Sequence, residues 1–220
     1  MTSAQVSVQG REVEFWLEFG SNYSYLSVMR IQSLAAQYGV KVFWQPFLLG
    51  PIFQSFGWNN SPFVLQKEKG EYVWRDMARQ CAKYGISWKM PSVFPRSGVL
   101  PLRIMLVGEG LPWTTEFARR VMLLNFAEDR EINSRAEMSA ILADLGQNAE
   151  QILGLAQGEP IKHRLRAQTE DAKARKIFGA PTFLVRGEMF WGNDRLEDAL
   201  ALAGPLVKCS PSGSKTGGRQ

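Results

Sequence analysis

The chain has 220 residues, 45% of them hydrophobic, with a formal net charge of +5, which is enough for one domain with a sizeable core or one domain carrying a large insertion. The polar start Met1–Ser7 has no basic lead or signal-length apolar run, and no window reaches the ~18 uninterrupted apolar residues of a membrane helix, so a soluble, cytoplasmic protein is expected. Lys208, Lys215 and Arg219 in an acid-free tail supply much of the charge. The mildly basic remainder excludes a nucleic-acid footprint and suits small anionic ligands. Cys81 and Cys209 have neither C-x-x-C spacing nor the pattern of a disulfide framework, and with His163 as the one histidine no zinc set can be assembled.

In chain order, Val13–Phe19 alternates and predicts a strand. Gly20-Ser21-Asn22-Tyr23-Ser24 turns into a helical pattern that begins near Tyr25 and stops at Tyr38-Gly39, a glycine end signal. Val40–Phe47 predicts a second strand, so the first third is a βαβ unit with parallel pairing and a right-handed crossover. A Pro-, Gly- and Asn-rich stretch, Gly50–Pro62, follows. Helical patterns then run over Val64–Tyr84, Pro101–Gly108, Thr114–Ala127, Arg135–Leu145 and Glu150–Gln157, punctuated by Pro and Gly clusters. From Pro160 to Phe178 a basic helix leads to Gly179-Ala180-Pro181. Thr182–Arg186 and Glu188–Trp191 predict a hairpin turning at Arg186-Gly187, and Asn193-Asp194 opens a last helix, Arg195–Ala203. The organisation expected is α/β: residues 11–48 and 159–203 form one domain, 49–158 an inserted all-helical domain, and 204–220 a Ser-, Gly- and Pro-rich tail that reads as disordered.

Ser21 is the first candidate for chemistry. It lies at a strand-to-helix junction, where unpaired backbone N–H groups and the positive end of the helix dipole favour an anion such as a thiolate. No cysteine is there to become one, so the sulfur must arrive with a ligand. The competing role for Ser21 is a plain helix cap, and Ser24 is the expected cap if Ser21 is chemical.

Several segments together are similar to one family: Phe19-Gly20-Ser21-Asn22-Tyr23-Ser24-Tyr25-Leu26, Phe47–Gly50, Lys69-Gly70-Glu71-Tyr72, Pro91–Pro95, and above all Phe178–Phe183 continuing to Gly187–Arg195. Over about residues 13–203 the chain resembles the 2-hydroxychromene-2-carboxylate isomerases, kin of kappa-class glutathione transferases and DsbA-like oxidoreductases. The resemblance implies a thioredoxin-like fold with a large helical insertion, and glutathione as cofactor. It implies that Ser21 donates a hydrogen bond to the glutathione sulfur. A free thiol with pKa near 8.5 is about 3% thiolate at pH 7, and lowering it two units raises that to about 75%, at roughly 2.7 kcal/mol. It further implies that Pro181 is cis, leaving the N–H and C=O of Ala180 free to pair with the cysteinyl backbone. Asn193 and Asp194 would meet the γ-glutamyl carboxylate and ammonium. Lys69 and Asn59 are carried over for the glycyl carboxylate or that of the substrate.

The chain departs from that pattern in two places. Gly57-Trp58-Asn59-Asn60-Ser61-Pro62 leaves the choice between Asn59 and Asn60 open, and Asn22 stands where a proline is common. Trp58 and Trp191 are the tryptophans beside site motifs. Arg103 is either a substrate-carboxylate ligand or a surface ion-pair residue, and His163 reads as exposed. The activity implied is cis-trans isomerisation of an aromatic carboxylate by reversible thiolate addition. The alternatives are a kappa-like transferase or peroxidase, and a non-catalytic binding module. Partners would be glutathione, a small aromatic carboxylate and, as among relatives, a second copy in a homodimer.

Overall fold

The structure, a computed structural model, describes residues 11–205. The expectation for the tail therefore falls almost wholly outside the described residues, as does Cys209.

Strand β1 (Glu12–Leu17) is followed by helix α1 (Asn22–Tyr38) and strand β2 (Lys41–Pro46). β2 pairs parallel to β1, Glu12 opposite Lys41 through Leu17 opposite Pro46, as the βαβ reading requires. Next come α2 (Leu49–Ser55), α3 (Pro62–Leu65), α4 (Lys67–Tyr84), α5 (Val99–Val107), α6 (Trp113–Phe126), α7 (Arg135–Asp144), α8 (Ala149–Gln157) and α9 (Glu159–Ala174). The hairpin β3 (Thr182–Val185) and β4 (Glu188–Trp191) turns at Arg186 and Gly187, both at positive φ (51° and 86°), the two-residue geometry that matches strand twist. A 3-10 turn, Asn193–Arg195, then enters α10 (Leu196–Ala203).

The sheet order is β2-β1-β3-β4, with β3 antiparallel to both neighbours. β1 is central, and its alternation explains the two cores. Val13, Phe15 and Leu17 are fully buried in the larger core, where Phe15 stacks on Phe183 at 5.1 Å. Trp16 faces the other way and joins Phe47, Ile52, Ala172 and Ile177 in a second core beneath α2 and α9. Each such side chain contributes about 1.5–3 kcal/mol by burial.

Two boundaries differ from the sequence reading. α1 starts at Asn22 rather than near Tyr25, because Ser21 is its cap: Ser21 Oγ accepts from Ser24 N–H at 3.2 Å. Helix α2 was not anticipated within the Pro/Gly stretch. Pro51 sits in its first turn, where a missing N–H costs nothing, and Ile52 anchors it in the second core. At the other end of α1, Gly39 terminates the helix in the left-handed region, φ 62°, as expected. Among the described residues no helix is long and apolar enough to cross a membrane.

Candidate functional site

The sheet register gathers the site. β1 and β3 are antiparallel with Trp16 opposite Thr182, so the chain leaving β1 and the chain entering β3 meet at one end of the sheet. β4 ends at that same edge, with Trp191 opposite Thr182, and Gly192 N–H donates to Pro181 O at 3.0 Å. Ser21, Ala180, Pro181, Asn193 and Asp194, separated by up to some 170 residues, thereby line one cavity of about 1260 Å3. Asn59, Asn60 and Lys69 line it as well, on the loop before α3 and on α4. That volume exceeds the ~300–1,000 Å3 usual for one small ligand and leaves room for a tripeptide beside a second reactant.

Ser21 is 7% exposed, and its hydroxyl works twice within the fold: besides capping α1 it donates to Ala180 O at 2.8 Å. The Ala180–Pro181 bond is cis. The Ala180 carbonyl is thus not free as expected, although a carbonyl has two lone pairs and one remains for a ligand N–H. Ser24, the anticipated cap, is fully buried and its hydroxyl has no partner. Asn22 is 1% exposed and lines the cavity, and its Nδ2 also lacks a partner. The Asn22 amide, with the free end of the 17-residue α1, forms a donor-rich corner suited to an anion.

Asn193 is used differently from the sequence expectation. It is 5% exposed, and its Oδ1 accepts from Arg30 Nη1 at 3.1 Å and from Ser27 at 3.4 Å, which pins the turn after β4 to α1. Its side chain therefore shapes the turn, whose residues Gly192, Asn193 and Asp194 line the cavity. Asp194 is exposed and paired with Arg195 at 3.0 Å, open to exchange that partner for an ammonium group. Gly192 makes the turn possible: its φ is 110°, and a Cβ would stand 2.5 Å from Asp194 Oδ1. Asn60 Oδ1 accepts from Ser61 N–H at 2.7 Å, which leaves its Nδ2 donors, like the amide of Asn59, on the cavity lining. Lys69 is exposed, with Nζ 5.9 Å from the Phe63 ring.

Aromatic walls complete the cavity. Trp58 packs on Phe53 and Phe56 on one side, and Trp191 on Phe178 at 5.0 Å on the other. Trp44, Trp74, Trp88 and Trp113 instead pack against the larger core. Tyr23 donates to Asp76 Oδ2 at 2.8 Å, and burial together with that carboxylate holds its phenol well above the ordinary range, hence neutral. Arg103 is not part of the cavity wall; it lies on α5, with its Nε buried and unpartnered. His163 is exposed. Cys81 is buried in the core and its thiol is pushed up to about 11 by burial, the opposite of a reactive thiolate.

Glu18 was missed by sequence reasoning. It follows β1, is 8% exposed, lines the cavity, and its Oε2 accepts from Gly20 N–H at 2.8 Å. Burial pushes its carboxyl up to about 8. The loop behind it, with a second cis bond at Phe94–Pro95, is anchored by Arg96, which is 6% exposed and reaches Asp129 Oδ1 at 2.5 Å and Asn125 Oδ1 at 2.9 Å. Asn125 in turn donates to Phe19 O at 2.9 Å. The sequence signal was an acidic residue closing an apolar strand, directly before the site turn.

A family model described as the DSBA-like thioredoxin domain matches residues 12–202. A 2-hydroxychromene-2-carboxylate isomerase of Pseudomonas putida is 29% identical over 194 residues, covering 84% of this chain and 90% of the relative. Glutathione s-transferase kappa 2 of Caenorhabditis elegans is 22% identical, covering 91% and 97%. A solved structure of a 2-hydroxychromene-2-carboxylate isomerase superposes with a TM-score of 0.76 at 25% identity, covering 84% of this chain and 90% of that one.

Proposed function

We propose, from the premise that this chain belongs to the DSBA-like thioredoxin domain family, that it is a glutathione-dependent isomerase of an aromatic, carboxylate-bearing substrate. The observation that carries the reading is Ser21 at the start of α1, against Ala180 beside cis Pro181, in a cavity with no cysteine among its lining residues. A thioredoxin-like site that lacks its own sulfur but keeps an anion-favouring corner and a peptide-pairing edge fits a thiol peptide brought from outside. The isomerase and kappa transferase names of its relatives support the same class.

The residues present fit glutathione. The unpartnered Asn22 amide and the α1 terminus offer donors to a thiolate, and the remaining lone pair of Ala180 O suits the cysteinyl N–H. Asn193 and Asp194 would offer their backbone N–H groups, and Asp194 its carboxylate, to the γ-glutamyl end. Lys69 and Asn59, on the same lining, are available for a carboxylate. When bound, glutathione supplies a nucleophile that adds reversibly to a conjugated carbon, turning a double bond into a rotatable single bond. Ser21 holds its proton toward the sulfur by giving up its bond to Ala180 O. Trp58 and Trp191 exclude water and stack on the aromatic portion of the substrate.

The purified protein is assayed with glutathione on a hydroxychromene carboxylate and on a chlorodinitrobenzene-type electrophile. Glutathione-dependent conversion of the first supports the isomerase. Turnover of the second alone favours a transferase, the reading that the kappa relative supports. Absence of glutathione binding at millimolar concentration by calorimetry rejects both.

A further inference from the structure

We propose that Glu18 is a neutral carboxyl in the working protein and gates the cavity by charge: protonated, it leaves an anion held at the start of α1 unopposed, and ionised, it expels that anion. The inference rests on the glutathione reading above and assigns a proton-dependent control to the same site.

The geometry is that of a built slot. Glu18 Oε2 lies 2.8 Å from where a Cβ on Gly20 would stand, and Oε1 lies 2.6 Å from the corresponding point on Gly98. Two glycines on separate segments thus leave space for this carboxyl group, which a Cβ at either would crowd. Oε2 accepts from Gly20 N–H, and the Glu18 carbonyl accepts from Ser21 N–H at 3.1 Å, so the side chain is folded onto the very turn that starts α1. Oε1, which lies against Gly98, makes no hydrogen bond among the described residues and is the oxygen left to carry a proton.

No cation offsets this carboxyl among the described residues. Arg96, on the loop against Gly20, is turned to Asp129 and Asn125. On α4, Asp76 is occupied by Tyr23 and Lys69 is exposed. After β4, Asp194 and Arg195 pair with each other. A carboxylate buried without a counter-charge keeps its proton, and burial, offset only in part by the hydrogen bond from Gly20 N–H, pushes Glu18 up to about 8. At neutral pH the group therefore adds no negative charge, the condition a neighbouring thiolate requires. Above that range the proton leaves to solvent, the carboxylate forms, and two like charges compete for one pocket.

Calorimetry of the full-length protein tests this with two glutathione analogues, glutathione sulfonate, which carries a permanent anion in place of the thiol, and S-methylglutathione, which is neutral there. Expected is a loss of affinity for the sulfonate of about fourfold from pH 7 to pH 8.5, as the protonated fraction falls, with S-methylglutathione unchanged. In Glu18→Gln, whose amide oxygen still accepts from Gly20 N–H, the sulfonate affinity stays level over the same range. Parallel pH profiles for the two analogues in the wild-type protein overturn the gate, whether or not the variant folds. An equal fall in the variant overturns it too. If neither analogue binds at pH 6, the glutathione reading fails and takes this inference with it.

Discussion

Ser21 Oγ donates to the carbonyl of Ala180 at 2.8 Å while accepting from Ser24 N–H at 3.2 Å, so a single hydroxyl ties the start of α1 to the cis-proline edge. Any sulfur that takes the hydroxyl proton must displace the bond to Ala180. Structure and chemistry therefore draw on the same atom and can be separated by choice of variant. Ser21→Ala is expected to cost about 1 kcal/mol as a lost cap, whereas Ser21→Gly costs only a few tenths on that account. Both remove one hydrogen bond to a charged sulfur, worth about 1.5–3 kcal/mol or roughly 10–100-fold in turnover. Chemical denaturation and glutathione-dependent turnover are measured on both; turnover that tracks stability across the pair would reduce Ser21 to a cap.

Ser24 supplies the complementary case. Its hydroxyl is fully buried without a partner, and only its N–H takes part in the cap. Ser24→Ala removes an unsatisfied polar group and improves helix propensity, so stability should hold or rise by up to about 1 kcal/mol. A loss of that size in the denaturation midpoint would show that Ser24, not Ser21, anchors the helix.

The contrast between these serines shows where sequence reasoning reaches. The strand-turn-helix pattern located the junction because alternation and the Gly39 stop are local signals, but which serine caps depends on whether the helix starts at Asn22 or three residues later. Motifs at both ends of the chain pointed to Ser21 and Ala180 together, and both line one cavity, but the hydrogen bond between them was not legible, since the resemblance left that carbonyl free. Asn193 was legible as a site residue but not as a positioning one, because Arg30 and Ser27 approach it from α1 and nothing local announces them. Glu18 was invisible because its burial is imposed by Gly20 and Gly98, one of them far along the chain. Helix α2 was hidden because Pro and Gly read as breakers, while at a first turn proline is tolerated.

Gly192 is a point at which the fold admits no other residue. Its φ of 110° with ψ of 151° lies in a region essentially reserved for glycine, and a Cβ would crowd Asp194 Oδ1 at 2.5 Å. Gly192→Ala is expected to destabilise by about 1–3 kcal/mol and to shift Asp194 away from the cavity. KM for glutathione should rise more than kcat falls, as expected when a binding contact remote from the sulfur is disturbed. Steady-state kinetics with glutathione as the varied reactant reads this, and a kcat effect with KM unchanged would argue against the assignment of the 192–194 turn to the γ-glutamyl end.

Glu18 also leaves a mark on stability that needs no ligand. Its ordinary value of 4.5 is raised to about 8 in the folded chain by burial. Between those values the unfolded chain releases the proton and the folded chain keeps it, so the folded state binds more protons and its stability falls as pH rises. The contribution is intact below about 4.5, declines by at most about 1.4 kcal/mol per pH unit across the window, and levels off above about 8. Glu18→Gln cannot ionise and keeps the acceptor for Gly20 N–H, so it lacks this slope. Scanning calorimetry of both proteins from pH 5 to pH 8.5 should find similar Tm values at the acid end and a widening advantage for the variant toward the alkaline end. Tm curves that stay parallel throughout would mean that Glu18 titrates as an ordinary carboxylate, its burial compensated by a group that the geometry does not show.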